Sequence, residues 1–112
     1  MLELTNSRTY KHIQLMKTVF IAYDQALQDY VIDALNDSNV RGYTFFEQAG
    51  GRGSRTGDPH LGSHAWPSMN SAILSVMEDE KVQPLLRRLK QLDEDNQMLG
   101  LRAFVWNVEE SL

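Results

Sequence analysis

The chain contains no cysteine, which excludes disulfide bonds and thiolate metal sites and agrees with a reducing cytoplasm. No apolar run approaches the roughly 20 residues that a membrane-spanning helix needs, and no signal-peptide pattern follows the first residue. Basic residues are too few for general nucleic-acid binding, because 11 Lys and Arg stand against 15 Asp and Glu, a net charge of −4. We therefore predict a soluble, cytoplasmic protein that binds no nucleic acid.

Recognisable catalytic patterns are also missing. The chain has no nucleophile motif and no cluster of acids around a histidine, so a binding and signalling module is favoured over an enzyme. Its 112 residues, 42% of them hydrophobic, suit one compact domain with a small core. An enzyme that uses a loop as a lid is the least favoured alternative.

The hydrophobic pattern predicts four strands and two helices in the order βαββαβ, the ferredoxin-like α+β sandwich. Strands are predicted over residues 18–23, 40–48, 70–78 and 101–108. Asp24 is a good N-cap for the first helix, which ends near Asn36, and an acidic run precedes the second helix, with Pro84 in or near its first turn. The helix positions predicted to face the core are Leu27, Tyr30, Val31, Ala34 and Leu35, then Val82, Leu85, Leu86, Leu89 and Leu92.

Both faces of the predicted sheet are apolar. In the last strand, Phe104 and Trp106 alternate with Ala103 and Val105. Two helices cover only one face of a four-stranded sheet, so a monomer would leave the second apolar face in water. We therefore predict a homo-oligomer that packs its open sheet faces together. The alternative is partial cover by the N-terminal extension.

A long loop, residues 50–67, joins the second and third predicted strands and is rich in Gly, Arg and His. Such a loop costs ordering entropy and buries little, so we expect contacts rather than stability to explain it. His60 and His64, with Asp58 or Glu47, offer imidazole and carboxylate ligands to a divalent metal ion such as Zn²⁺, Cu²⁺ or Ni²⁺. Two solvent-facing histidines, or histidines hydrogen-bonded inside a subunit cleft, are the alternatives.

The residues resemble the PII signal-transduction superfamily, trimers of ferredoxin-like subunits with a flexible T-loop between strands 2 and 3. The resemblance covers residues 17–112 and is carried by three segments in the family's order. They are residues 40–44 (VRGYT) with Glu47, residues 51–57 (GRGSRTG) at the loop base, and residues 103–110 (AFVWNVEE) in the closing strand. It implies a homotrimer with a long T-loop, and residues 1–16 are then an N-terminal extension that is disordered or not native.

The chain departs from this family at the nucleotide-binding B-loop. A glycine-rich segment of the TGxxGDGK type is replaced by residues 95–102 (DNQMLGLR), in which only Arg102 keeps the charge of the terminal lysine. The sequence also stops before the arginines that PII proteins place beyond the last strand. Because glycine amides and these cations cradle three phosphates, we do not expect ATP binding of the usual kind.

Candidate ligand residues follow from the loop composition and the resemblance. Gly51 and Gly53 permit close backbone approach to an anion, and Arg55 and Arg102 are candidate cations. Thr44 matches a threonine near the family's cleft between subunits. The alternatives are incidental solvated arginines and a threonine that serves only as a strand former.

The leading hypothesis is a trimeric PII-like regulator that binds a small ligand or metal ion at the clefts between subunits. Its T-loop changes order on binding and contacts a target. The resemblance implies a membrane transporter, such as a heavy-metal efflux system, as a candidate target. The alternative is a divalent-metal-binding tolerance protein similar to CutA, which shares the trimeric ferredoxin-like design.

Overall fold

A computed structural model of the protein describes residues 15–48 and 70–112. In chain order its elements are β1 (Met16–Asp24), a 3-10 turn (Gln25–Leu27), α1 (Gln28–Asp37), β2 (Thr44–Phe46), β3 (Asn70–Glu78), α2 (Asp79–Asp95) and β4 (Leu101–Asn107). The βαββαβ order predicted from the sequence is confirmed. Among the residues described, no helix is both long enough and apolar enough to cross a bilayer.

The four strands form one antiparallel sheet in the order β2-β3-β1-β4. β1 is a central strand that pairs with β3 along its whole length, from Met16 opposite Glu78 to Asp24 opposite Asn70. On its other side β1 pairs with β4. This is the sheet of the ferredoxin-like fold, so the predicted fold class is confirmed.

The two helices cover one face of the sheet, and the core lies between them. Val19, Ile21 and Tyr23 alternate along β1 and are fully buried, as period-two alternation requires for a face under helices. The helices contribute apolar residues at spacings of three and four. The buried core consists of Val19, Ile21, Tyr23, Leu27, Val31, Ala34, Leu35, Val40, Ile73, Met77, Val82, Leu85, Leu89 and Leu101.

Local hydrogen bonds set both ends of α1. The Oδ1 atom of Asp24 accepts a bond of 2.9 Å from the backbone N–H of Ala26, which starts the turn into the helix. At the other end Asn39 adopts a left-handed φ of 59°, and the N–H of Val40 donates to the carbonyl of Leu35 at 2.9 Å. This ending returns the chain to the core, where Val40 is buried.

The start of α2 is tied to the strands by charge. Asp79 and Glu80 lie in its first turn, where the helix dipole favours acids. The Nζ atom of Lys17 lies 3.5 Å from Oδ1 of Asp79 and donates to the side chain of Asn107. One lysine on β1 therefore contacts both α2 and β4.

Three local features differ from the sequence predictions. β2 spans three residues rather than residues 40–48, because Val40 completes the end of α1 and residues 41–43 adopt no strand. Tyr30 is 61% exposed, since the buried stripe of α1 passes through Val31 and Leu35 instead. Pro84 is the sixth residue of α2, one turn later than expected, on an exposed side of the helix.

Candidate ligand-binding site

The sheet face opposite the helices, hereafter the open face, carries large apolar side chains. Directly opposite residues in antiparallel strands point to the same face, so the pairing register defines cross-strand rows. The rows are Val76, Thr18 and Trp106; then Thr44, Leu74, Phe20 and Phe104; then Phe46, Ala72, Ala22 and Arg102. Four of these side chains are between 44% and 58% exposed, namely Phe46, Val76, Trp106 and Phe104. The prediction of an apolar second face is confirmed.

Two predicted ligand residues, Thr44 and Arg102, lie on the open face at its opposite edges. Thr44 is on β2 and Arg102 is on β4, with β3 and β1 between them. Three strand spacings of about 4.8 Å separate the two edges by about 14 Å. Within one subunit these two side chains therefore cannot contact the same small anion.

The guanidinium of Arg102 is available to a ligand. Its side chain is 57% exposed, and Nη1 lies 3.9 Å from Oδ1 of Asp93. Nη1 also donates to the carbonyl of the preceding Leu101 at 2.7 Å. An ion pair at this exposure contributes at most about 1 kcal/mol. An incoming anion can therefore displace Asp93 at little cost.

The segment before β4 is a turn that uses its own backbone groups. The N–H of Leu99 donates to the carbonyl of Asn96 at 2.9 Å, and the carbonyl of Gly100 accepts from the N–H of Asp24 at 2.8 Å. The side chain of Asn96 donates to the carbonyl of Leu92 at 3.0 Å. The Leu99 amide is thus occupied within the turn instead of facing an anion, unlike the amides of a glycine-rich phosphate loop.

Two buried serines of β3 hold the short strand that carries Thr44. The hydroxyl of Ser71 donates to the carbonyl of Glu47 at 2.7 Å, and that of Ser75 donates to the carbonyl of Gly42 at 2.5 Å. Both serines are at most 1% exposed. These bonds lie just beyond each end of the β2 ladder. Sequence reasoning missed them, although two serines four residues apart on the core side of a strand were a usable signal.

Asp24 is a second residue whose setting the sequence did not reveal. Its side chain is fully buried, and while Oδ1 caps the turn into α1, Oδ2 has no hydrogen-bond partner within the part of the chain that is described. Burying a carboxylate oxygen without a donor costs stability. The sequence identified this residue only as a helix cap.

Tyr23 places a buried phenol under the start of α1. Burial raises the pKa of Tyr23 to about 12, and Tyr43 is a smaller second cause. The hydroxyl donates to Oε1 of Gln28 over a long 3.4 Å. The phenol therefore stays protonated at physiological pH.

The other predicted site residues, Gly51, Gly53, Arg55, His60 and His64, lie outside the described residues. The anion-binding loop and the histidine metal site therefore stay predictions. Among residues 15–48 and 70–112, no three or more His, Cys, Asp or Glu side chains are grouped as a metal site would need.

Comparison with known proteins identifies the family. The family model described as nitrogen regulatory protein P-II matches residues 16–112. The chain belongs to the P-II family. Proteins of this family are regulatory signalling proteins that form trimers and bind small ligands. A search of curated proteins finds no match to the sequence.

Solved structures of PII-like proteins share the fold. CPII from Thiomonas intermedia K12, bound to ADP, AMP and acetate, is 22% identical with a TM-score of 0.68 over 87% of this chain and 89% of that chain. Its complex with ADP, AMP and bicarbonate gives 22% and 0.67 over 87% and 93%. A PII-like signalling protein from Thermus thermophilus gives 22% and 0.59 over 83% and 86%.

Proposed function

We propose that this protein is a P-II-family regulator that binds an adenine nucleotide with few phosphates, or bicarbonate, between the subunits of a homotrimer. The loop between β2 and β3 then transmits occupancy to a target. The observation that carries the proposal is the placement of Thr44 and Arg102 on one apolar face but at opposite edges of the sheet.

The open face supports the trimer. Phe104, Trp106 and Val76 are roughly half exposed on one contiguous face. Soluble monomers rarely leave an apolar patch of several hundred Å² in water. When identical subunits pack these faces in a closed ring, the β2 edge of one subunit approaches the β4 edge of the next. A ligand at that boundary contacts Thr44 of one copy and Arg102 of another.

The charge available at the boundary favours a ligand with few phosphates. Arg102 is the cation of the open face within the three rows, and the turn before it uses the Leu99 amide internally. One guanidinium pairs well with one carboxylate-like or phosphate group, whereas three phosphates need several donors. CPII, which shares this fold, has been crystallised with ADP, AMP and bicarbonate.

Signalling through the loop follows from its attachment. β2 carries Thr44, and the loop leaves the sheet directly after Phe46 and Glu47. A three-residue strand is held by few backbone bonds, so occupancy beside Thr44 changes its stability more than that of a longer strand. A membrane transporter as the target stays a prediction.

Titration calorimetry with AMP, ADP, ATP, bicarbonate and Zn²⁺ tests the proposal. We expect AMP, ADP or bicarbonate to bind more tightly than ATP. Arg102→Gln should weaken that binding at least tenfold, as loss of a charge-assisted contact does. The matched control is Arg87→Gln, which removes an exposed arginine of α2 on the helix side. A well-folded protein that binds none of these anions contradicts the proposal, and tight Zn²⁺ binding alone favours the CutA-like alternative.

A further inference from the structure

β2 presents two side chains to the open face, the hydroxyl of Thr44 and the ring of Phe46. Residues two apart on a strand lie about 7 Å from each other and point to the same side. Phe46 is 44% exposed, while Phe45, its neighbour on the strand, points to the helix side in register with the buried Ile73. An exposed ring and a hydroxyl therefore stand side by side at the β2 edge.

The surroundings of Phe46 differ from those of the other exposed phenylalanine on this face. Opposite Phe46 lies Ala72, and beyond Ala72 lies Ala22. Phe104 instead stands directly opposite the large ring of Phe20. Small side chains next to Phe46 leave one face of its ring free of bulky cross-strand neighbours.

We propose that Phe46 is a stacking platform for a nucleobase, and that it makes the site selective for nucleotides over simple anions. This inference rests on the proposed function and adds a recognition element at the β2 end of the same site. A flat heteroaromatic ring stacks on Phe46 while its polar edge reaches the hydroxyl of Thr44. The phosphate lies towards Arg102 of a neighbouring copy.

The chemistry separates two parts of the ligand. Bases stack on aromatic side chains with a gain that is equivalent to about tenfold or more in affinity. Bicarbonate and pyrophosphate have no such ring, so Phe46 contributes nothing to their binding. Substitution of Phe46 should therefore change the ratio of nucleotide to simple-anion affinity.

The test compares Phe46→Leu, Phe46→Tyr and the parent protein by calorimetry with AMP and with pyrophosphate. Phe46→Leu keeps apolar bulk but removes the ring, so we expect AMP affinity to fall about tenfold and pyrophosphate affinity to change less than about twofold. Phe46→Tyr restores the ring and should bind AMP within about threefold of the parent. Phe45→Leu, an adjacent change on the opposite side of the strand, is the matched control.

Proton NMR of AMP gives a readout that an interface role would not move. A base stacked on a ring shows upfield shifts of its H2 and H8 signals, and these shifts should vanish in Phe46→Leu. Unchanged AMP affinity in Phe46→Leu, or an equal loss for AMP and pyrophosphate, overturns the inference and leaves the proposed function standing. A parent protein that binds pyrophosphate but not AMP also overturns it, whereas binding of neither anion overturns the proposed function as well.

Discussion

The two serine hydroxyls of β3 should decide how firmly β2, and with it Thr44, stays in the sheet. Each hydroxyl donates one bond to a carbonyl just beyond an end of the three-residue β2 ladder, Ser71 to Glu47 at 2.7 Å and Ser75 to Gly42 at 2.5 Å. The perturbation is the removal of these hydroxyls in Ser71→Ala, Ser75→Ala and the double variant.

The expected magnitude follows from the solvent exposure of the two partners. The serines are buried, but Gly42 and Glu47 are exposed, so water can replace the lost donor at their carbonyls. Each bond is therefore worth about 1 kcal/mol rather than the full penalty for a buried group. The serines lie about 13 Å apart along β3, so their effects should add to about 2 kcal/mol.

Hydrogen exchange measured by mass spectrometry or NMR is the assay. We expect the amides of residues 44–46 to exchange about fivefold faster in each single variant and about thirtyfold faster in the double variant. Exchange within β1 should change little, because β1 is paired on both sides. Ser38→Ala, at the end of α1, is the control.

Two results would refute this reasoning. Unchanged exchange at residues 44–46 in the double variant would show that the hydroxyls do not hold β2. An equal acceleration in β1 and β2 would show a general loss of stability from the core instead of a local release.

Three further predictions concern other buried or exposed groups. Asp24→Ala should lower the free energy of unfolding by about 1 kcal/mol through loss of the cap, whereas Asp24→Ser, which keeps an acceptor and removes the unpaired Oδ2, should cost less than half of that in chemical denaturation. Because burial raises the pKa of Tyr23 to about 12, its contribution of about 2 kcal/mol is fully present below pH 10 and is lost as the pH rises towards 12. Tyr23→Phe should flatten that alkaline decline, and Tyr30→Phe, on an exposed side chain, should not. Trp106→Asp should convert the trimer to monomers in sedimentation velocity while far-UV circular dichroism stays unchanged; a stable trimer in this variant would exclude the open face from the interface.

The strands that were predicted well are those whose pattern depends on local sequence. β3 is a run bounded by polar residues at both ends, and its predicted and observed limits agree at Asn70 and Glu78. β2 was predicted too long because the apolar start of that run, Val40, serves the end of α1. A left-handed residue such as Asn39 decides that boundary, and its conformation depends on the contacts that close the helix.

The site divides in the same way. The resemblance identified Thr44 and Arg102, but their separation across the sheet follows only from the strand order. The bonds of Ser71 and Ser75 join residues 24 and 33 positions apart, so no local pattern encodes them. The unpaired oxygen of Asp24 likewise arises from packing around the end of β1.

A subunit-mixing experiment tests the central claim most directly. Thr44→Val and Arg102→Gln each damage a different half of the proposed boundary site, so each variant alone should bind AMP or ADP weakly. When equal amounts are unfolded together and refolded as mixed trimers, about one quarter of the boundaries should unite an intact Thr44 with an intact Arg102. We predict that calorimetry recovers about a quarter of the parent's sites at the parent's affinity. Recovery of none would show that the two residues do not meet across a subunit boundary.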